Sequence, residues 1–342
     1  MTSGGVTRAR PTVSILIPAY NAEATLPACL EGIARSTWQP LEVILFSDGS
    51  TDSTEAIATA AGCRIVRNHG RPRGPAHGRN EAAKAAAGEW LLLVDADVVI
   101  APDALELLGE EMLAKGAIGA FGSYDDTPRS QRGTSLYANL RHHFVHQHGP
   151  ADASTFWSGL GLIDRETFLR FGGFDEALFP YPSIEDVELG ARLVAAGHRI
   201  RLVHAAHGKH CKDWPLLRVW HTDIFRRAVP WAEMIIDGKT AGADLNVSQI
   251  ERIKALVALL GLALLLGSVI VPQFLIGVVA TWLAYIWLNR DFFGFLAKRL
   301  PLHRLALAVT MHWCYHIYST FTFVIIAVTR RLGWRRRIAV PE

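Results

Sequence analysis

The stretch WLLLVDADVV, residues 90–99, decides the fold class. Residues 91–94 are apolar and follow the break at Gly88, a pattern typical of a parallel strand that is covered on both faces of a sheet. Asp95 and Asp97 come directly after this strand. In an extended chain, residues i and i+2 point to the same side, so both carboxylates can face one cation or one set of phosphates. The stretch therefore predicts a buried strand with a ligand-binding pair of acids at its C-terminal end.

The sequence before this stretch alternates strand-like and helix-like segments. In chain order, the predicted strands and helices cover residues 13–17, 23–36, 41–46, 55–61, 64–67 and 79–87. Asn21 is a favourable N-cap for the first of these helices. This order is typical of an α/β fold with a doubly wound, mostly parallel sheet, in which ligands bind at the C-terminal strand ends. The clusters PAYN, SDGSTD, GPAHGRN and DAD all fall at such ends.

The second half of the chain is much more apolar than the first. Half of the 342 residues are hydrophobic, and residues 255–288 and 305–328 contain no acidic residue, lysine or arginine. Runs of this length are typical of membrane segments. Ser268, Pro272 and Gln273 interrupt the first run and predict a hairpin of two short spans. The first thirteen residues lack the apolar core of a signal peptide, so we expect a cytoplasmic first domain on a multi-pass cell-membrane protein. The four scattered cysteines are expected to be reduced thiols.

Six motifs occur in order between about residue 12 and residue 210: ILIPAYNAE, FSDGSTDST, GPAHGRNEA, LLVDADV, FGGFDE and IEDVELGARL. Together they resemble the family 2 glycosyltransferases of the GT-A fold. The resemblance implies an enzyme that takes a sugar from a nucleotide-sugar donor, with UDP as the expected nucleotide. It also implies inversion at the anomeric centre and use of a divalent metal, Mg²⁺ or Mn²⁺.

The resemblance assigns roles to particular side chains. The residues implied to bind the nucleotide sugar are Pro18, Tyr20, Asn21, Asp48, Arg79, Asn80 and Asp95. Asp95 and Asp97 form the implied metal motif. Asp186 is the implied catalytic base, and Glu185 is the other carboxylate of that pair.

The chemistry of sugar transfer suits these residue types. A departing diphosphate develops charge that a divalent cation can neutralise, and such a cation is held by one or two carboxylates. The acceptor hydroxyl needs a base to take its proton. An aspartate at a helix N-terminus can be kept ionised by the helix dipole and oriented toward the acceptor. His207 and His210 follow a predicted strand at 199–204, where the resemblance to GT-A enzymes implies a histidine that completes the metal site, and one of the two is expected to do so. The sequence leaves open which one.

The segment 213–236 interleaves aromatic, aliphatic and cationic residues. This pattern fits an interfacial helix on anionic lipid and, equally, an amphipathic helix packed on the protein's own core. A Gln-x-x-Arg-Trp motif of processive synthases is replaced here by LLRVW. This departure favours transfer of a single sugar over polymer synthesis. Residues 142–149 contain several histidines, but no third ligand accompanies His142 and His146, so we expect an amphipathic helix there.

A membrane-attached enzyme gains most when its acceptor is confined to the same surface, so we expect a lipid or lipid-linked acceptor. A polyprenyl phosphate, which offers a phosphate acceptor, is the alternative, and a non-catalytic nucleotide-sugar-binding scaffold is a weaker one. A Rossmann dehydrogenase is disfavoured because PAYNAE stands where G-x-G-x-x-G would be needed. We expect no nucleic-acid partner, and the sequence predicts no oligomeric state.

The expected domain organisation has five parts. These are a disordered N-terminus at 1–11, a catalytic domain at 12–212, interfacial helices at 213–250, a membrane region of two or three spans at 251–329 and a basic tail at 330–342. Basic residues on both sides of the hairpin keep its ends cytoplasmic. A third full span would then place Arg330 and Arg331 outside, against the positive-inside tendency. Either the third segment is re-entrant or the tendency is overridden.

Overall fold

The computed structural model describes residues 10–239 and 248–333. Within these residues the chain forms nine strands, thirteen α-helices and one π-helical segment. The strands are β1 (Val13–Ala19), β2 (Glu42–Ser47), β3 (Arg64–Arg67), β4 (Trp90–Val94), β5 (Val98–Ile100), β6 (Gly119–Tyr124), β7 (Asp152–Ala153), β8 (Leu160–Asp164) and β9 (Ile200–His210). The helices of residues 10–239 are α1 (Leu26–Ala34), α2 (Thr54–Ala60), α3 (Gly74–Ala85), α4 (Ala104–Lys115), α5 (Gly133–His148), α6 (Arg165–Arg170), α7 (Glu185–Ala195), α8 (Leu216–His221), the π-helix (Thr222–Ala228) and α9 (Val229–Ile236). Those of the second range are α10 (Gln249–Gly267), α11 (Phe274–Leu288), α12 (Arg290–Ala297) and α13 (Leu302–Arg331).

The strands of residues 10–239 form one mixed sheet in the order β3-β2-β1-β4-β8-β6-β9-β5, with β7 paired to β9. Strands β1 to β4 are mutually parallel, and β6 and β9 are parallel to each other. Strand β8 is antiparallel to both β4 and β6, so it joins two parallel groups that run in the same direction. The C-terminal ends of β1, β2 and β4 therefore meet at one edge of the sheet.

Helices cover both faces of this sheet. All five side chains of β4 are buried. Ile15 and Ile17 of β1 belong to one core cluster, together with residues of α1 and α4, whereas Leu16 belongs to the cluster on the other face, with residues of α3 and α7. Successive strand residues point to opposite faces, so one short strand contributes to both cores. The predicted doubly wound arrangement is present.

Two local expectations from the sequence are wrong. Asn21 does not cap the first helix, because α1 begins at Leu26 after Thr25. Asn21 has a positive φ of 48° and lies in the preceding loop. The last strand also extends further than predicted: β9 runs to His210, so His207 and His210 lie within the strand instead of after it.

Within the segment 213–236, residues 216–236 form a continuous helix from α8 through the π-helix to α9. Leu217 and Trp220 on α8 are exposed. Trp231 on α9 instead packs against a cluster that contains Met234 of the same helix and Phe179 and Ile184 of the catalytic unit. The core-packed interpretation therefore applies to α9, and the interfacial interpretation of α8 stays a prediction. Residues 240–247, within the expected interfacial region, lie outside the described residues.

The apolar C-terminal region forms a hairpin, α10 and α11, followed by α12 and α13. A third core cluster joins it to the catalytic unit, with Leu140 of α5, Tyr285 of α11 and Met311 of α13 among its members. Within the described ranges, one helix, α13, is long and apolar enough to cross a membrane. The expectation of a multi-pass protein is therefore not supported.

Candidate active site

The loop after β1 is tied to the loop after β2. The backbone N–H of Asn21 donates to Ser50 Oγ at 3.1 Å, and Asn21 Oδ1 accepts from the Thr51 backbone at 2.8 Å. Pro18 is the penultimate residue of β1, and the Tyr20 ring is exposed beside it. The structure thus places Pro18, Tyr20 and Asn21 together on one rim of the sheet, where the Tyr20 ring is exposed.

Asp48 follows β2 and is buried. Its carboxylate accepts hydrogen bonds from Asn68 Nδ2 at 2.8 Å, from the Arg73 backbone at 2.9 Å and from the Gly74 backbone at 2.7 Å. These contacts fix the loop that leads into α3. Asp48 therefore shapes the rim next to Asn21, with both carboxylate oxygens engaged by the protein.

Asp95 and Asp97 lie between β4 and β5, at the edge where the sequence places them. His210 Nε2 is 3.9 Å from Asp97 Oδ1, and Lys212 Nζ is 3.7 Å from Asp97 Oδ2. Pairing of β5 with β9 brings these residues together, since Val98 is opposite His210 in the register. Burial, followed by the nearby Lys212, lowers the pKa of His210 to about 3, so its imidazole is neutral at pH 7.

His207 does not join this group. It lies three residues before His210 in β9, and its Nε2 is 3.3 Å from Gln147 Nε2 of α5. Its ring is also near His143, with centroids 6.0 Å apart. Strand residues three positions apart point to opposite faces of the sheet. Of the two histidines, the structure therefore places only His210 beside the aspartates. The alternative that the sequence left open is resolved in placement.

Arg79 connects the two groups of acids. It is buried on α3, and its guanidinium lies 2.5 Å from Asp95 Oδ1 and 3.2 Å from Glu185 Oε1. Arg79 Nε is buried without a hydrogen-bond partner. The arginine thus bridges the acids after β4 and those at the start of α7.

Asn80, the next residue, is used differently. Its side-chain amide donates to the Phe174 carbonyl and to Glu176 Oε1, each at 2.9 Å, and its Oδ1 accepts from the Phe174 backbone. The amide therefore holds the FGGFDE loop and does not face the aspartates. Asn80 also lines a cavity of about 500 Å³ with Arg192, and that cavity includes neither Asp95 nor Asp97.

Asp186 lies in the first turn of α7 and is only partly buried. Its Oδ2 accepts from the backbone and hydroxyl of Ser158, at 2.9 and 3.0 Å. Gly190 allows this approach, because a Cβ there would lie 2.3 Å from the Phe156 nitrogen. Burial raises the pKa of Asp186, and the hydrogen bonds from Ser158 oppose that rise. The result is an accessible carboxylate held in one orientation.

Glu185 has a different environment from its neighbour. Its side chain is buried against Arg79, and its second oxygen accepts from the Ser183 backbone at 2.8 Å. Burial and then the adjacent Asp186 raise the pKa of Glu185 to about 7. Glu185 therefore lies in the internal ion pair, and Asp186 is the more exposed carboxylate of the two.

The described residues contain no ready cluster of three or more acidic, histidine or cysteine ligands. The residues present nevertheless fit a magnesium or manganese ion. Such ions are commonly held by one or two carboxylates, with waters and substrate phosphates as the other ligands. Asp95 and Asp97 supply the carboxylates at an open edge, and neutral His210 adds a nitrogen donor nearby.

An aromatic group next to His210 was not predicted from the sequence. Tyr124 stacks on His210 with centroids 4.3 Å apart, and Trp157 packs edge-on against Tyr124 at 4.8 Å. Beside them a cavity of about 30 Å³ is lined in part by His142 and Arg227. Four residues near the aspartates belong to no recognised motif: Tyr124, Trp157, Ser158 and Lys212. Among them, only Lys212 could have been suspected from the sequence, because it lies two residues beyond His210.

This combination of a doubly wound sheet with two acid groups at its C-terminal edge is the arrangement expected of a sugar-nucleotide transferase. Residues 14–176 match the model of Glycosyl transferase family 2. Residues 14–176 therefore correspond to a family 2 glycosyltransferase domain.

Curated relatives align with parts of the chain. A glycosyltransferase of Streptococcus pneumoniae, GlyG, is 31% identical over 123 residues, which cover 34% of this chain and 40% of the relative. A PGL/p-HBAD biosynthesis glycosyltransferase of Mycobacterium tuberculosis is 40% identical over 93 residues, covering 26% of this chain and 36% of the relative. The chain thus spans about two fifths or less of these relatives.

A solved structure resembles nearly the whole chain. The mannosyltransferase PcManGT from Pyrobaculum calidifontis, in complex with GDP-Man and Mn²⁺, covers 96% of this chain and 88% of its own, with a TM-score of 0.54 and 19% identity. At this identity the likeness concerns the fold. The predicted α/β fold of the GT-A type, followed by a helical C-terminal region, is confirmed.

Proposed function

We propose that the protein is an inverting glycosyltransferase that moves one sugar from a nucleotide-sugar donor, with UDP as the expected nucleotide, to a membrane-confined lipid or lipid-linked acceptor. The observation that carries this proposal is the bridge that Arg79 makes between Asp95 and Glu185, at distances of 2.5 and 3.2 Å. This bridge brings two pairs of acids to one edge of a family 2 domain. One pair is expected to bind a metal ion, and the other is expected to include the catalytic base.

The donor site would occupy the rim formed by Pro18, Tyr20 and Asn21, with Asp48 shaping its floor. Asp95 and Asp97 would hold Mg²⁺ or Mn²⁺, with His210 as a further ligand. When bound, the cation supplies positive charge against the charge that develops on the departing diphosphate. The Mn²⁺ and GDP-Man in the related archaeal structure support this assignment.

Asp186 would act as the base. It takes the proton from the acceptor hydroxyl while that oxygen attacks the anomeric carbon on the face opposite the diphosphate. The bond from the anomeric carbon to the diphosphate oxygen breaks as the new glycosidic bond forms, so the configuration inverts. The two hydrogen bonds from Ser158 aim the carboxylate, and partial exposure leaves it accessible to an acceptor.

The acceptor class is inferred from the apolar C-terminal helices, which would keep the catalytic unit at a membrane that also holds the acceptor. The proposed division is a catalytic domain at 12–212, interfacial helices at 213–250 and a membrane-attached region at 251–329. The N-terminus at 1–9 and most of the basic tail lie outside the described residues.

The test is a panel of nucleotide sugars incubated with the full-length protein, Mn²⁺ or Mg²⁺ and mixed membrane lipids, with labelled lipid as the product. EDTA and Asp97→Ala should each abolish transfer, and Asp186→Asn should lower turnover at least about a hundredfold with donor binding unchanged. Full transfer in EDTA would contradict the metal assignment. A small, pH-independent loss in Asp186→Asn would indicate a phosphate acceptor, which needs no base.

A further inference from the structure

The surface formed by α10, α11 and α13 is apolar and exposed. Its large exposed side chains include Leu256, Leu260, Leu266, Val269, Ile270, Ile276, Val279, Leu283, Phe321, Val324 and Ile325. Contiguous apolar surface on this scale marks an interaction site in a folded protein. The proposed membrane attachment leaves open how deeply, and from which side, these helices enter the bilayer.

The turn of the α10–α11 hairpin exposes large apolar side chains, with Gln273 as its exposed polar residue. Val269 and Ile270 are each 85% exposed at its tip. The backbone N–H groups of both residues donate to carbonyls of the preceding turn, and the Ser268 hydroxyl donates to the Leu265 carbonyl at 2.7 Å. If the turn emerged into water on the far side of the bilayer, water could bond its backbone groups, so these internal hydrogen bonds would not be needed. Its apolar side chains would then be exposed to water. Paired backbone groups and apolar side chains are what hydrocarbon requires.

The hairpin is also too short to cross a bilayer. Helix α11 has 15 residues, or about 22 Å at 1.5 Å per residue, against a hydrocarbon core of about 30 Å. The first turns of α10 carry Glu251, Arg252 and Lys254, which leaves an apolar part of similar length. Arg290 follows α11, so both ends of the hairpin carry charge at the same level.

Helix α13 stays attached to the catalytic unit along its length. Tyr315 lies under the Arg141 guanidinium of α5, at 4.2 Å, and Tyr318 donates to Asp223 of the π-helix at 2.7 Å. Near its end, Arg330 is 3.5 Å from Asp237, which follows α9.

Helix α5 is in turn fixed to the sheet, because His143 contacts the Tyr124 carbonyl of β6 at 2.7 Å. A helix of 30 residues spans about 45 Å. If α13 crossed the bilayer, its far half would lose contact with the charged segment 223–237, which is not a spanning sequence.

We propose that the protein is monotopic: α10, α11 and one face of α13 enter a single leaflet of an anionic bilayer from the cytoplasmic side, and no segment crosses. Exposed cations at the base of the hairpin, Arg252, Arg290 and Lys298, face the head-group level, where anionic lipids attract them. Trp287, also exposed near this base, suits the interfacial layer. Arg330 and Arg331 then stay on the active-site side, which satisfies the positive-inside tendency.

The first test is topology. The full chain, with one epitope at the N-terminus or one after residue 342, is expressed in a bacterial host, and inside-out membrane vesicles are treated with protease. Both epitopes should be digested without detergent while a lumenal marker protein stays intact. A C-terminal epitope that is protected until detergent is added would overturn the proposal, and so would a chain recovered entirely in the soluble fraction.

The second test concerns the hairpin tip. Val269→Asp with Ile270→Asp should weaken binding of the full chain to phosphatidylglycerol–phosphatidylethanolamine vesicles at least tenfold, because charge would enter hydrocarbon. Leu113→Asp, at an exposed leucine on α4, is the matched control and should bind as the wild type does. Equal binding by the tip variant, or a detergent-free dimer that ignores vesicles, would overturn the proposal. Titration of UDP and GDP on the same samples tests the glycosyltransferase assignment separately, since that site lies in the catalytic sheet.

Discussion

At the residue scale, adjacent carboxylates in one helical turn have different environments. Glu185 is enclosed with Arg79, whereas Asp186 is partly exposed and receives two hydrogen bonds from Ser158. Both lie at the N-terminus of α7, where the helix dipole favours negative charge. Position, more than residue type, therefore separates the carboxylate of the internal ion pair from the proposed base.

Removing the Ser158 hydroxyl should leave the orientation of the Asp186 carboxylate less well fixed. We expect Ser158→Ala to lower kcat by about tenfold, the loss of one hydrogen bond to a charged group, with donor affinity unchanged. Ser183→Ala is the control, because that hydroxyl donates to the Arg226 carbonyl and not to Asp186. Equal kinetic losses in the two variants, measured as kcat and KM for the acceptor, would argue against a positioning role.

Glu185 should make stability depend on pH. Its pKa of about 7 in the folded protein exceeds its ordinary value of 4.5, so the folded state holds a proton that the unfolded state has lost between these values. The free energy of unfolding should therefore fall as pH rises through this window. Glu185→Gln should show a smaller decrease in Tm from pH 5 to pH 7.5, followed by circular dichroism, with Glu110→Gln as a surface control. Parallel pH profiles in all three proteins would contradict the prediction.

The sequence was informative about residues that carry motifs and silent about those that act through tertiary contact. The spacing of Asp95 and Asp97 after a strand indicated a pair of acids at the sheet edge, whereas Asp186 was assigned through the family resemblance, and the roles of all three stay predictions. Asn80 was expected near the diphosphate, yet its amide binds the Phe174 backbone, a partner 94 residues away. Ser158 has no local signal, because its role depends on a helix that begins 27 residues later.

At the element scale, the strands were easier to predict than the helix ends. Strand β3 coincides with its predicted range, whereas α3 begins five residues before the predicted start at 79. Apolar runs fix strand positions, but the start of α3 depends on Asp48, which accepts from the Arg73 and Gly74 backbone. The helix at 216–236 was predicted to have one amphipathic face along its whole length. In the structure, only its C-terminal part packs on the catalytic unit, through Trp231.

A buried charge network joins three of these elements. Arg141 of α5 and Arg227 of the π-helix both contact Asp223, at 2.9 and 3.0 Å, and Tyr318 of α13 donates to it. Burial raises the pKa of Asp223, but the two arginines bring it below its ordinary value. The network fixes the position of α13 against the catalytic unit.

Breaking this network should be costly. Asp223→Ala leaves Arg141 buried without its main counter-ion, which should lower the free energy of unfolding by about 3–5 kcal/mol. Tyr318→Phe removes one hydrogen bond and should cost about 1 kcal/mol. Denaturant unfolding in mild detergent measures both, and similar small losses in the two variants would show that Asp223 does not hold the elements together.

At the scale of the whole molecule, the C-terminal region is part of the fold as well as the proposed membrane attachment. Leu136 and Leu140 of α5 are buried in a cluster that includes Phe292 of α12 and Met311 of α13. The sequence showed the apolar runs but not this shared core, because hydrophobicity alone does not distinguish lipid contact from helix contact. The catalytic sheet and the apolar helices are therefore not independent units.

Two deletions should separate these roles. Ending the chain at residue 239 uncovers several large apolar side chains of α5, at about 1.5–3 kcal/mol each, a total comparable with the stability of a typical domain. We expect this truncated protein to aggregate or to lose its cooperative thermal transition. Replacing only residues 259–281 of the hairpin with a short Gly/Ser linker keeps α12 and α13 in place. That variant should stay folded and bind donor within about threefold of the wild type, as measured by nucleotide titration, but should bind vesicles at least about tenfold more weakly, because only the apolar face of α13 remains. A truncated chain that melts cooperatively at the wild-type Tm would show that the catalytic unit folds without its C-terminal helices.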